Sequence, residues 1–335
     1  MYNVLKLLKN NNMKYIKIIN MLVLFCLTFN FISCDKFDSD QTKPAYIRVH
    51  CFKMVPNTDA SFTYNQDEGF LSSDIPDVWV SIKDKGEVKE LGGYSFKEDS
   101  TILIPILAKG KHIVQLKPGV KYNGMASTRE YYQFYTYFSD TLNLQEGKII
   151  DIDVKPITYN SKAAFSYVWM FEDMFNPFEN FSNIDASVAN YMKVITGDSV
   201  AYGIKCGAFY SFSMADNYKV VTRDSISCSN TSAMILELDY HSNIPFEVGI
   251  YGQTSSSSQY YTISCIHINA NDKPFYPAKD KRNWKKMYII LGKVWSQLSY
   301  QPFKIWFMPV NKDNIKNGFV HIDNIKIVHF PQIGS

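Results

Sequence analysis

Beyond residue 43, apolar and polar residues alternate along most of the chain. In "DVWVSI", Val78, Val80 and Ile82 fall on one face, and Trp79 and Ser81 fall on the other. The same period of two runs through "AYIRVHCF", "TILIPILA", "KHIVQLKP" and "KIIDIDVKP", with turns such as "KDKGE", "AKGK" and "KPGV" separating several of them. Further on, "FKIWFMPV" sets Phe303, Ile305 and Phe307 on one face and sends Trp306 to the other with Lys304 and Met308. Asp239 alternates with Leu238 and Tyr240, and Glu247 faces away from Phe246, Val248 and Ile250 while sharing its side with Tyr251. No helix of useful length interrupts these runs. The pattern predicts an all-β chain of two antiparallel β-sandwich domains, 44–156 and 163–330. Pro156 and the polar "TYNSK" mark the joint, across which few contacts are expected.

Residues 13–33, "MKYIKIINMLVLFCLTFNFIS", follow a different rule. Lys14 and Lys17 precede an apolar centre from Met21 to Phe29, and the small residue Ser33 precedes Cys34. That is the layout of a secretory signal peptide over 1–33, with Met13 as a second possible start. The apolar run, broken by Asn20 and Asn30, is short for a membrane-spanning helix of about 20 residues. It also lacks the amphipathic stripe of a buried helix. Residues 34–43 are polar beyond the cysteine and read as a tether.

The formal charge of +3 changes meaning once this segment is set aside. Residues 1–33 hold four lysines and no acidic residue, so the remainder carries 31 basic against 32 acidic side chains. Such a balance offers no footprint for nucleic acid. The 23 tyrosines and 23 phenylalanines favour strands. Cys51, Cys206, Cys228 and Cys265 match no zinc spacing, and they are too few for a disulfide scaffold. They are either buried thiols or, for Cys206 with Cys228, a bridge closing a hairpin.

No phosphate loop, nucleophile elbow, H-E-x-x-H or C-x-x-C is present. His267 and His321 sit in alternating runs and read as sheet residues rather than ligands. Glu237, Asp239 and Glu247 could gather as facing carboxylates, as a glycosidase needs, or could decorate a solvated sheet face. Sugars stack on exposed aromatic rings while carboxylates and amides bind their hydroxyls. Trp306, Tyr251, Glu247 and Asp239 on the strands are therefore candidate glycan contacts, together with Trp295 and Tyr300 in the loop after "YIILG".

Several stretches resemble known families. "FISC" resembles a bacterial lipobox, and the following "DKFDSD" resembles the export signal of Bacteroidota surface lipoproteins. The resemblance implies that Cys34 is lipidated and opens the mature protein, held at the outer membrane facing outward. Two acyl chains hold stably where one does not. "VWVSIKDKGEVKELGG" with "PILAKGKHIVQLKPGVKYNG" resembles transthyretin-like and PEGA-like modules. "FSYVWMFEDMF", "AMILELDYHSNIPFEVGIYG", "WKKMYIILGKVWSQL", "FKIWFMPV" and "GFVHIDNIKIVHF" resemble a jelly roll of the carbohydrate-binding and galactose-binding-like type. That resemblance implies a structural calcium held by Glu172, Asp173 and Asp323, with backbone carbonyls completing its six to eight oxygens. The triads beginning at Asp99, Asp140, Asp198 and Asp224 resemble the O-glycosylation motif of Bacteroidota exported proteins, which implies Ser100, Thr141, Ser199 and Ser225 as acceptors. Taken together the resemblances imply a non-catalytic, glycan-binding outer-membrane lipoprotein. An accessory lipoprotein that contacts a surface protein is the alternative, and a glycoside hydrolase trails both.

Overall fold

The first half of the chain builds ten short strands. They are β1 (Ala45–His50), β2 (Phe52–Met54), β3 (Asp77–Asp84), β4 (Glu87–Ser95), β5 (Thr101–Ile106), β6 (Gly110–Lys121), β7 (Arg129–Tyr131), β8 (Phe138–Leu144), β9 (Ile149–Ile152) and β10 (Lys155–Ile157). The second half adds β11 (Ala164–Trp169), β12 (Phe178–Asn180), β13 (Lys193–Thr196), β14 (Lys205–Ser211), β15 (Val220–Thr222), β16 (Ile235–Ser242), β17 (Phe246–Thr254), β18 (Ser257–Ile268), β19 (Lys285–Ile290), β20 (Phe303–Pro309) and β21 (Gly318–His329). A computed structural model supplies these coordinates and describes residues 43–330 apart from 60–67, 85, 97–100, 174, 182–190, 198, 214–217, 229–232 and 272–283. The signal segment 1–33, Cys34, nearly all of the tether and Ser100 lie outside the described residues.

The architecture is all-β. Strands up to β10 pair among themselves in the orders β5-β1-β9, β10-β2 and β4-β3-β6-β7, with β8 also on β6. Strands from β11 onward form a six-stranded sheet, β13-β14-β21-β16-β19 with β11 on β21, and a five-stranded sheet, β12-β15-β20-β17-β18. Most pairings are antiparallel, but β1 with β9 and β2 with β10 run parallel, which the alternation alone did not reveal.

Alternation decides which side each strand buries. Val78, Val80 and Ile82 enter the first core with Ile47, Ile104 and Leu116. Phe303, Ile305 and Phe307 enter the second core with Leu236, Leu238, Ile289 and Ile322. The "IDNI" run in β21 departs from simple alternation. Asn324 takes a left-handed φ of 51°, which Asn tolerates better than most residues, and the ladder with β16 slips between Glu237 and Asp239. The resulting bulge lets Ile322 and Ile325, three apart, both reach the second core.

One-sided burial is usual for an antiparallel sheet. Strand β16 instead is buried at every position. Its second face, with Glu237, meets Tyr132 and Tyr159 of the first half. Ile235, Tyr288 and Val328 of the second half complete the first core. Strand pairing thus divides near 157–164, while Ala45 onward packs as one compact unit. Where Pro156 and "TYNSK" suggest few crossing contacts, the structure has a shared buried layer.

Candidate functional site

The carboxylates singled out in "LELDY" belong to that shared layer. Glu237 is fully buried and accepts hydrogen bonds from Tyr132 Oη at 2.5 Å and Tyr159 Oη at 2.7 Å. The Lys286 ammonium lies 2.6 Å from its Oε2 and also donates to Tyr135 Oη at 3.1 Å. Burial alone would raise the Glu237 carboxyl, but Lys286, and then Lys326, override it and hold the group below its usual range. Asp239 accepts from Asn324 Nδ2 at 2.7 Å, and burial lifts its carboxyl to about 6. The stretch before β3 runs over this face. Phe70 O accepts from Asn324 Nδ2 and from the Lys326 ammonium, each at 2.8 Å, and Asp74 accepts from the Lys286 backbone N–H at 2.9 Å. Asp239 is therefore a buried structural residue, which corrects its place among the glycan contacts. Neither Glu237 nor Asp239 faces solvent, at 0 % and 1 % exposure.

The donors expected to hold calcium do not fit it. Both Ile204 N–H and Lys205 N–H donate to Glu172 Oε1, at 3.0 and 3.1 Å. The Lys205 ammonium donates to the carbonyls of Glu172 at 2.7 Å and Asp173 at 3.4 Å, where a cation would need those oxygens. Asp323 is fully buried; its Oδ1 takes the Asn324 N–H, and burial drives its carboxyl up to about 8. Among the described residues no cluster of three or more His, Cys, Asp or Glu could hold a metal. The Lys205 ammonium occupies the carbonyl oxygens that calcium would have used.

The outer face of the five-stranded sheet is the other candidate surface. Trp306 does point away from Phe303, Ile305 and Phe307, toward this face. Its ring lies flat over Gly249, its cross-strand neighbour, where any Cβ would collide with it. The indole N–H donates to Ile250 O at 3.1 Å, and the Lys219 ammonium sits 4.8 Å from the ring centre. Only 2 % of Trp306 is exposed, so it supports the face from beneath and is not itself a sugar platform. Trp295 is likewise corrected: it is 1 % exposed, with its N–H on Gln301 O at 2.8 Å. Tyr300 stands edge-on to it at 5.1 Å and is 40 % exposed.

Tyr251 stands half-buried on this outer face. It stacks on Tyr260 with ring centres 4.9 Å apart and planes 19° from parallel. The Phe181 edge meets it at 4.8 Å. Tyr260 is 55 % exposed. Lys304, opposite Tyr251 in register, pairs with Glu179 at 2.9 Å, and Arg223 reaches the same carboxylate at 3.6 Å. A depression of about 460 Å³ opens beside the tyrosines, lined by Gln253, Thr254, Gln301 and Lys304 as well. Glu247 lies on the same face, 3.6 Å from His267 Nδ1. Tyr260 lies in β18 opposite Gln253 and next to Tyr261, which is also exposed, so no alternation in "SSQYYTIS" singles it out in the sequence.

Ser225 lines this depression too and is exposed. Thr141 is exposed on β8, its N–H held by the Asp140 side chain at 2.7 Å, and Ser199 is half-buried beside β14. Cys51, Cys206, Cys228 and Cys265 are all free thiols, so no bridge joins Cys206 to Cys228.

No protein-family model matches the sequence, and no curated protein matches it. Solved structures do. A family 11 carbohydrate-binding module of the cellulosomal cellulase Lic26A-Cel5E of Clostridium thermocellum is 17% identical, with 51% of this chain and 98% of that chain covered at a TM-score of 0.32. The K2 cleaved adhesin domain of Lys-gingipain is 8% identical over 50% of this chain and 98% of that one, at 0.31. The N-terminal CBM22 tandem domain of Paenibacillus barcinonensis Xyn10C is 9% identical over 76% and 73%, at 0.33. Likeness at this level leaves the ligand to be read from this chain's own residues.

Proposed function

We propose that the chain is a lipid-anchored surface protein that binds a neutral glycan, without catalysis, on the outer face of its five-stranded sheet. The stacked pair Tyr251 and Tyr260 beside a depression lined with amides and hydroxyls carries this reading. A pyranose offers an apolar CH face to an aromatic ring and hydroxyls to its rim, and this depression has both kinds of partner. Glu179 holds both rim cations, Lys304 and Arg223, in ion pairs, which leaves the aromatic rings, amides and hydroxyls as the contacts for an uncharged sugar. The Glu179 carboxylate is tied to two cations, so it is poorly placed to serve as an acid or nucleophile. Anchoring at Cys34 would set many copies on one membrane, and multivalency lets weak single sites matter.

The test is a glycan array probed with the chain from residue 35 onward, beside its Tyr260→Ala variant. Retention of neutral glycans that weakens in the variant supports the reading. A folded chain retained by no glycan would hand the case to an accessory role with a protein partner. The anchor is tested separately. Cys34→Ala should release the protein from membranes, and a mature N-terminus found unmodified or elsewhere by mass spectrometry overturns that part alone.

A further inference from the structure

We propose a second saccharide subsite, on the outer face of the β4-β3-β6 sheet in the first half, with Trp79 as its floor. Trp79 sits in mid-strand on the face opposite Val78, Val80 and Ile82. Its indole lies flat across two neighbouring strands. A Cβ on Gly93 would come within 2.8 Å of the ring, and one on Gly119 within 2.7 Å. Neither glycine has a positive φ, so the backbone does not require them; the ring does. Glycine weakens a strand interior and commonly marks close approach of another group. Two of them here keep the indole flat, with one ring face down on the sheet and the other outward. Trp79 remains half-buried; its N–H is on the covered edge of the ring and finds no hydrogen-bond partner among the described residues, so the ring face is what it offers a ligand.

The rim around the indole has sugar-binding chemistry. Tyr131, opposite Gly119 in register, rises on the same face and is 46 % exposed. The Lys117 ammonium lies 5.2 Å from the Tyr131 ring centre and 2.8 Å from Glu90 Oε1. Ser81 Oγ donates to Gln115 Oε1 at 3.2 Å. A depression of about 370 Å³ opens alongside, lined by Gln115, Lys117, Tyr131 and Tyr137 among others. An aromatic plane ringed by an amide, an ammonium and a carboxylate suits a pyranose ring, whereas a protein-docking patch is more broadly apolar at its centre. Lys117 and Glu90 cancel in charge, so the occupant is a neutral polysaccharide rather than a polyanion. This subsite does not depend on Tyr251 and Tyr260.

The experiment uses the chain from residue 35 with Tyr251→Ala and Tyr260→Ala, which silences the first face. It is run by affinity electrophoresis through gels of mixed-linkage β-glucan, xyloglucan, galactomannan and, as a polyanion, polygalacturonate. At least one neutral polymer should still retard it. Adding Trp79→Ala should abolish the retardation. Gly119→Ala, which keeps the indole but stops it lying flat, should weaken binding about tenfold, the factor that corresponds to about 1.4 kcal/mol. Circular dichroism confirms that each variant folds. No retardation by any neutral polymer overturns the proposal, as does retardation that survives Trp79→Ala or occurs only in polygalacturonate. Self-association that Trp79→Ala removes, with no sugar retention, would give the face to a second copy of the chain and also overturn it.

Discussion

The Lys286 ammonium lies 2.6 Å from the Glu237 carboxylate, with both side chains withdrawn from water between the two halves of the chain. Tyr132 and Tyr159, from the first half, complete the carboxylate's hydrogen bonds. Removing one partner of a buried pair leaves the other charged and unsatisfied, which typically costs about 3–5 kcal/mol. Glu237→Leu alone should therefore lower urea-unfolding stability by an amount of that order. Combining it with Lys286→Met should recover part of the loss. The second half expressed alone should be much less stable than the whole, because Glu237 loses both tyrosines. Equal stability of the isolated half would show that the layer does not couple the two.

The same layer sets a pH signature. Burial raises Asp323 from 3.8 to about 8, so between these values the folded protein keeps a proton the unfolded chain has released. The associated stability is full below about pH 4 and is lost as pH rises through 8. Asp323→Asn carries no such proton, so its stability relative to the parent should climb steadily from pH 4 to pH 8. His321 gives the opposite sign. Burial lowers it from 6.5 to about 4, so stability is lost as pH falls through that window, and His321→Gln should remove the loss. Parallel curves for parent and Asp323→Asn in chemical denaturation across pH 4–8 would contradict the buried acid.

Gly249 is where the outer face is most sensitive to added volume. A methyl there would strike the Trp306 ring and the Ile263 carbonyl. Overpacking of this kind costs about 1–3 kcal/mol. Gly249→Ala should lower the melting temperature by several degrees and also shift Tyr251, two residues along the same strand. A variant as stable as the parent would mean that Trp306 has room to move.

Much of this was legible in the chain. The period of two located most of the longer strands, and it set Phe303, Ile305 and Phe307 on one face and Trp306 on the other; the structure turns the first face into the core. What alternation cannot show is what lies above a face. Trp306 is covered by Lys219 and Asp239 by the Phe70–Asp74 stretch, partners distant in sequence and brought there by tertiary packing. The "IDNI" motif was visible, but its buried acid and left-handed Asn324 are products of a bulge against β16, which only the register reveals. The parallel pairings of β1 with β9 and β2 with β10 were hidden because both strands of each pair are short and far apart in sequence.

Calcium gives a sharp negative expectation. With the Lys205 ammonium 2.7 Å from Glu172 O, chelator should leave the melting temperature unchanged, and added calcium should not raise it. Lys205→Met should destabilise the loop before β14 irrespective of calcium. A melting temperature that falls with chelator and returns with calcium would restore Glu172, Asp173 and Asp323 as ligands.

The central claim is that the Tyr251–Tyr260 face binds sugar, and titration calorimetry reads it most directly. The chain from residue 35 is titrated with an oligosaccharide of whichever neutral polymer retains it, beside Tyr251→Ala and Tyr260→Ala. An aromatic contact is worth about 0.5–1.5 kcal/mol beyond the area it buries, so each change should weaken binding by at least about twofold and up to about tenfold, with a smaller heat and an unchanged fold. Affinity and heat identical to the parent in both variants would contradict the assignment.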